Sequence, residues 1–408
     1  MLLPFIVFRP KDPFQPEFIL NAYFILVVAL GPLVVAAFFP DLFEHGVYGY
    51  AMYLIAIGYL GINFGFLVGR SFLKRGQSLR SLNHPLSSPS AQKVLVKIFL
   101  GIGFLGGAIF FARAGQIPIM AENKEIARVD ALSVSGNGYF LYLMTLLMVG
   151  VAFKAVSVYS SPYRNERYEA SAERFLFLVA LIVGVFLTGS GSRRYAIWTI
   201  LYVLIVRHYC VSRLSFRSVL MVAVVAFSAV NLFEMFRNPF SDTTVDFTTT
   251  SLFRFVIYAS NFEKVLSSFV NSDIHYFGST FFMDVLTMLP GKQMDYQSWL
   301  KEQAGLEFEG FGIPPTIIGD FFINFGEVGV VLLCAVYGCL VRVLYSKCIV
   351  NKVYGSGSLV VYVLLLEVSM KVLTSGLSAQ MMSAIWIFSV LVFSYFFSLS
   401  IFRKRRSG

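Results

Sequence analysis

The run Gly189, Ser190, Gly191, Ser192, Arg193, Arg194 joins two apolar segments, FLFLVALIVGVFL and YAIWTILYVLIV. It is too short for anything but a tight bend at a membrane surface. Two adjacent guanidiniums carry charge that deprotonation cannot remove, so they need an anionic partner or a way out to water. They also fall on the first turn of the following helix, where free N–H groups and the helix dipole favour an anion. A phosphate site is one reading of this chemistry. Snorkelling to lipid headgroups, or a salt bridge to a loop carboxylate, is the other.

A second group lies in GIPPTIIGDFFINFGEVGVV, where Asp320, Asn324 and Glu327 are spaced four and then three residues apart. On a helix all three share one face. A carboxylate there could remove the proton from an attacking hydroxyl. Asp320 is the best placed, with Glu327, Glu309, Asp284 and His275 as alternatives. A salt bridge that orients an arginine is the competing reading of Asp320. Glu367 and Lys371, four residues apart inside an apolar span, are expected to neutralise one another.

The elements that must position these groups follow from composition. The chain has 408 residues, 57% hydrophobic and only 14% charged, with a mean hydropathy of +0.72. Soluble domains carry about 25% charged residues, so a soluble globule is excluded. The net charge of +10 is then a matter of topology and implies no nucleic-acid partner. Apolar runs long enough to cross a bilayer fall near 18–38, 47–69, 94–112, 138–159, 175–188, 195–211, 216–235, 328–346, 358–376 and 383–402. The expected fold is an all-α, polytopic transmembrane helix bundle of about ten spans, a single integral membrane domain over 1–408. Cys210, Cys334, Cys339 and Cys348 imply no disulfide framework. The N-terminus does not read as a removable signal peptide.

Lys and Arg concentrate after alternate spans, which predicts that both termini are cytoplasmic. Arg113, Arg128, Arg193, Arg194, Arg237 and Arg254 then lie on the opposite side, against the topological preference. A ligand explains them better than orientation does. The large loop of residues 237–315 belongs to that same outer side. Within it, SLFRFVIYASNFEKVLSSFV has the apolar spacing of an amphipathic helix lying along the membrane surface, and YQSWLKEQ could form a further short helix. A loop this long is more often functional than connecting. It returns through Gly310, Gly312, Pro314 and Pro315, which bar a helix before Thr316. From Thr316 to Arg342 the helix exceeds the bilayer, so its first turns, with Asp320, should project toward the outer surface.

These features together describe a site for an anionic, lipid-linked substrate. Arginine's planar fork donates two hydrogen bonds to adjacent phosphate oxygens and stays charged at any working pH. Fixed positive charge would stabilise a departing pyrophosphate, while a carboxylate takes the proton of an attacking sugar hydroxyl. No cofactor or metal is required. The single short outer cluster of metal-ligand type is Asp41, Glu44 and His45, and there is no Asp-x-Asp, Walker loop or nucleophile elbow.

The layout of spans, the SGSRR bend at Ser190–Arg194, the large loop and the PPTIIGD motif at Pro314–Asp320 resemble the Wzy-type polymerases of bacterial O-antigen, capsule and related surface polysaccharides. The resemblance implies a glycosyltransferase C-type architecture in the bacterial inner membrane, with the active site facing the periplasm. It implies transfer of a growing glycan from undecaprenyl pyrophosphate to a new lipid-linked repeat unit, without metal or nucleotide sugar. The implied partners are lipid-linked oligosaccharides, membrane lipid, a Wzz-type chain-length co-polymerase and a flippase. By position, Arg193 and Arg194 match the family's basic bend and Asp320 its acidic position, whereas Arg113, Arg237 and Arg254 rest on topology alone. An O-antigen ligase of the same fold, using His275 in the large loop, is the nearest rival. A lipid-linked oligosaccharide flippase is the rival of another class, although the chain has no visible internal repeat.

Overall fold

Each long apolar run satisfies its own backbone by folding as a helix, as it must where no water is present. In the computed structural model the described residues are 3–8, 11–38, 45–73, 85–121, 123–160, 166–237, 247–271, 274–289, 294–306, 312–351 and 355–406, and no strand occurs among them. The helices are α1 Leu3–Phe8, α2 Pro16–Phe24, α3 Leu30–Phe38, α4 His45–Leu73, α5 Pro89–Ala114, α6 Lys124–Ser133, α7 Asn137–Tyr159 and α8 Glu166–Thr188. They continue with α9 Arg194–Cys210, α10 Phe216–Arg237, α11 Phe247–Phe269, α12 Met283–Leu286, α13 Tyr296–Gln303, α14 Thr316–Tyr345, α15 Gly357–Ser375 and α16 Met381–Arg406. A π-helical turn, Ile25–Ala29, joins α2 to α3. The protein is an all-α, polytopic membrane helix bundle.

Eight helical stretches among the described residues are long and apolar enough to cross a membrane. One of the ten expected spans falls short: α9 has 17 residues, about 26 Å of helix, whereas α10 has 22.

The chain divides into two compact units. One comprises Met1–Gln77, Val219–Ser346 and Leu366–Ile385, the other Ser78–Ser218, Lys347–Leu365 and Trp386–Gly408. In the first, α4 lies along α14 on a stripe of glycines. A methyl group at Gly61 would meet the Val331 carbonyl oxygen at 2.8 Å, one at Gly69 the Cβ of Arg342 at 2.9 Å, and one at Gly65 would overlap the Ala335 carbonyl. Glycine weakens a helix by about 1 kcal/mol relative to alanine. Close backbone approach between spans offsets that cost. Both glycine numbers and partner numbers rise together, so α4 and α14 run parallel.

Polar clasps complete the first unit. Asn21 and Asn63 exchange amide hydrogen bonds at 2.9 and 3.1 Å. Fully buried Glu17 pairs with Arg70 Nε at 2.8 Å and Arg342 Nε at 3.2 Å. Arg70, in the last turn of α4, thus neutralises a buried carboxylate. The amphipathic α11 turns Phe262, Leu266 and Phe269 inward, and its Val256 and Ala259 pack on Val35 of α3. Its apolar stripe is thus covered by protein of the same unit rather than by the membrane surface.

In the second unit α5 and α7 pair antiparallel. A methyl at Gly103 would lie 2.7 Å from Leu147 Cγ and one at Gly106 2.7 Å from Leu143 Cβ. The Asn137 amide closes the ends of α5 and α6 by donating to the Phe110 carbonyl at 3.2 Å and the Ala131 carbonyl at 2.8 Å. Glu173 accepts from Tyr159 and from Arg207. The four cysteines are free, and Glu367 pairs with Lys371 as expected.

Candidate functional site

The second unit holds the basic bend. α8 stops at Thr188 because Gly191 takes a left-handed conformation, φ +83°, and the chain reverses into α9. Within the turn Ser190 is buried and its hydroxyl donates to the Leu187 carbonyl at 2.8 Å. It seals the helix end and offers nothing to a ligand. The Gly189 carbonyl accepts the Ile119 N–H at 3.3 Å, which docks the 115–121 segment on the bend. No side chain caps the start of α9.

Three arginines surround this turn. Arg194 is exposed, with its guanidinium 5.3 Å from the Tyr195 ring centre, and Arg193 beside it is half-buried. Arg128, from α6, lies so close that a methyl at Gly191 would meet its Cδ at 3.3 Å. Burial and the neighbouring charge of Arg194 both push the Arg128 guanidinium below its ordinary value. Unlike charge brought among these groups is therefore favoured. Beneath the bend a half-open groove of about 220 Å3 runs between α8 and α9, lined by Ile119, Leu181, Gly184, Val185, Ala196 and Ile200 among others. The apolar groove reaches Thr188 and Gly189 at the bend where the three arginines gather, within one unit.

Arg113 does not join them. Its guanidinium donates to the Ser135 carbonyl at 2.5 Å and sits 5.5 Å from the Phe140 ring, tying the end of α5 to the turn before α7. The side chains of Arg237 and Arg254 lie outside the described residues, as do Asp41, Glu44, Glu309 and the side chain of His45. Arg128 was visible in the sequence only as a charge on the unexpected side. Its place at the bend depends on α6 folding back over Gly191.

The first unit holds the acidic group, in an arrangement the spacing does not predict. Thr316 does begin α14, but Gly326 adopts φ +64°, ψ −158° and breaks the helix internally. The shared face is lost there. Asp320 and Asn324, before the break, are fully buried, whereas Glu327, after it, is exposed. Asp320 does not project to a surface. It accepts the Tyr296 hydroxyl at 2.7 Å, the Ser378 N–H at 2.9 Å and the Ser378 hydroxyl at 2.6 Å. A methyl group at Gly376 would lie 2.7 Å from its Cβ. Among the described residues it makes no salt bridge to an arginine. Asp320 is a clasp between α14, the large loop and the turn before α16, not an accessible base.

Asn324 extends the clasp. Its side-chain oxygen accepts the Gly278 N–H at 2.9 Å and the Thr280 hydroxyl at 3.0 Å, and Thr280 in turn bonds Ser378 at 2.8 Å. The Ile323 and Asn324 carbonyls next to the break take N–H groups of Tyr276 and Phe277. His275 is held against the break, with its Nε2 3.1 Å from where a Gly326 methyl would be. Phe269, Tyr276, Tyr296 and Trp299 pack ring on ring above it, the closest pair, Tyr276 and Trp299, at 4.9 Å. Burial and the adjacent Asp320 carboxylate hold the Tyr296 phenol well above its ordinary value, so it acts as a donor. Asp284 accepts the Tyr296 N–H at 2.8 Å, and burial pushes its carboxyl up to about 6.

No family model, curated protein or solved structure matches this chain. What the arrangement can do is therefore argued from its own chemistry.

Among the described candidate carboxylates Glu327 is the most exposed. The hydroxyls of Tyr50 and Tyr53, one turn apart on α4, donate to its Oε1 at 2.7 Å and its Oε2 at 3.2 Å. Neither tyrosine was singled out from the sequence. Their i, i+3 spacing at the head of a span was the available signal.

Proposed function

We propose that the chain is a metal-independent glycosyltransferase that polymerises oligosaccharide repeat units carried on a polyprenyl diphosphate, of the Wzy type. It would act in the bacterial inner membrane, with both termini cytoplasmic and the reaction on the periplasmic face. The observation that supports this reading is the gathering of Arg128, Arg193 and Arg194 at the bend that the apolar groove between α8 and α9 reaches. An anionic diphosphate attached to a long apolar chain matches that combination of fork-shaped guanidiniums and apolar lining.

In the transfer, an acceptor hydroxyl oxygen forms a bond to the anomeric carbon while that carbon's bond to the diphosphate breaks. The electron pair leaves with the diphosphate, and fixed positive charge stabilises it there. The hydroxyl proton passes to a base. Of the carboxylates considered for that base, Asp320 is enclosed and Glu327 is exposed. The chain-length co-polymerase and the flippase remain the partners of this reading.

The test is the surface-polysaccharide ladder of a null strain complemented with Arg128→Ala, Arg193→Ala or Arg194→Ala. At normal expression, Arg194→Ala should collapse the ladder to a core-plus-one-repeat band. Wild-type ladders from all three variants would dismiss the arginine assignment.

The break at Gly326 favours a second reading, because transporters build their sites from interrupted spanning helices. The same null strain separates the two. Single repeat units still reaching the cell surface support the polymerase, and their absence supports a flippase.

A further inference from the structure

A charged side chain exposed within a membrane-spanning segment is costly unless it faces water or a polar ligand. Glu327 is such a group, exposed on α14 beyond the Gly326 break. It is presented in a particular way. Tyr50 and Tyr53 stack with ring centres 6.0 Å apart and planes 27° from parallel, and their hydroxyls meet one carboxylate oxygen each. The edge of Phe322 fixes Tyr50 from behind at 5.9 Å, while Tyr53 is 47% exposed. Tyr53 lies about 9 Å along α4 from Val47, where the apolar span begins, hence near the head of the span.

We infer that Tyr53, Tyr50 and Glu327 form a binding subsite for a sugar ring. Tyr53, nearly half exposed, offers aromatic surface whose negative quadrupole attracts the C–H groups along the flat side of a pyranose. Each Glu327 oxygen accepts one phenol and retains a further lone pair, so two neighbouring sugar hydroxyls can donate to it together. An ammonium group is the other chemistry that aromatic rings and a carboxylate attract, but a cation is held by ring faces converging on it. Here the two rings are near parallel, 27° apart, and do not converge on a common point. Tyr53 supplies the face, Glu327 the acceptors, and Tyr50 positions both. The subsite stands on the first unit alone and is independent of the arginine bend.

The experiment is saturation-transfer NMR on the full-length protein in nanodiscs. The probes are the methyl glycosides of galactose, mannose, rhamnose and N-acetylglucosamine, with choline as the cationic probe. At least one glycoside should bind. Tyr53→Leu, which keeps apolar bulk but removes the aromatic face, and Glu327→Gln should each weaken that binding at least fivefold. Tyr53→Phe should stay within about threefold of wild type. Melting curves confirm that each variant is folded, and the exposed position of Tyr53 makes it tolerant of substitution. Binding of choline alone, of none of the glycosides, or of a glycoside equally by wild type and Tyr53→Leu overturns the subsite. Tyr53-dependent sugar binding by a protein whose null strain still makes full polymer would retain the subsite and reject the polymerase. Polymer that depends on Arg194 but persists with Tyr53→Leu, together with absent sugar binding, would do the reverse.

Discussion

Ser378 donates both its hydroxyl and its backbone N–H to the carboxylate of Asp320, at 2.6 and 2.9 Å. With the Tyr296 hydroxyl at 2.7 Å, three donors from two distant segments converge on one buried acid. This makes a residue with the spacing of a catalytic base into the point where the large loop is fastened.

Removing that acid should loosen the loop. Asp320→Ala leaves the Tyr296 hydroxyl and the Ser378 N–H buried without acceptor, at about 1–3 kcal/mol each. Thermal unfolding in detergent should fall by several degrees, and limited proteolysis should cut residues 237–315 faster. Asp320→Asn, whose amide oxygen still accepts from Tyr296, should lose less. A wild-type melting point for the alanine variant would show that the clasp carries no stability.

The glycine stripe predicts a sharp contrast along one helix. Gly65→Ala places its methyl on the Ala335 carbonyl, and Gly61→Ala places one 2.8 Å from the Val331 carbonyl, so each must push α4 from α14. Gly49→Ala, on the same helix, meets nothing within 4 Å and should be neutral or slightly stabilising. The check is the yield of monodisperse protein on size exclusion. Equal yields from all three would refute the packing account.

Asp284 should make the loop's stability depend on pH. Its carboxyl is raised from 3.8 to about 6, burial being the largest cause, so the folded state holds this proton more tightly than the unfolded chain does. The associated stability is fully present below about pH 4 and is lost as pH rises to 6 and above, about 3 kcal/mol in all. Asp284→Asn keeps an oxygen for the Tyr296 N–H and does not titrate. The melting temperature of the variant minus that of the wild type should therefore increase between pH 4 and pH 7. A difference that stays constant, or decreases, contradicts the assignment.

Glu17 forms a buried cluster with Arg70 and Arg342, one carboxylate shared by two guanidiniums. Glu17→Ala removes the carboxylate that both share and should cost about 3 kcal/mol. Glu17→Leu combined with Arg70→Leu and Arg342→Leu should recover most of that loss, since no charge then remains uncompensated. Melting temperatures of the single and triple variants decide it, and a triple variant no better than Glu17→Ala would contradict it.

Much of the fold was legible because apolar length is a local property: the long spans and the start of α14 at Thr316 follow from runs of residues and from the Gly-Pro segment before them. The site was less legible, for identifiable reasons. The common face of Asp320 and Glu327 assumed an unbroken helix, and the positive φ of Gly326 ends that face. The burial of Asp320 depends on Tyr296 and Ser378, which no spacing connects to it. Arg113 is indistinguishable from Arg128 by sequence, yet one donates to a backbone carbonyl and the other crowds the bend. Arg70 and Arg342 lie on different helices, and only the folded unit brings both to Glu17.

The interruption at Gly326 has a consequence for how such a chain can diversify. Below it, α14 keeps its register on α4 through glycine contacts that tolerate almost no added atom. Above it, the first turns answer to the loop. A joint at that place lets insertions, altered loop lengths and new surface chemistry accumulate on one side without shifting the membrane-embedded shaft on the other, so recognition can drift while the scaffold stays still.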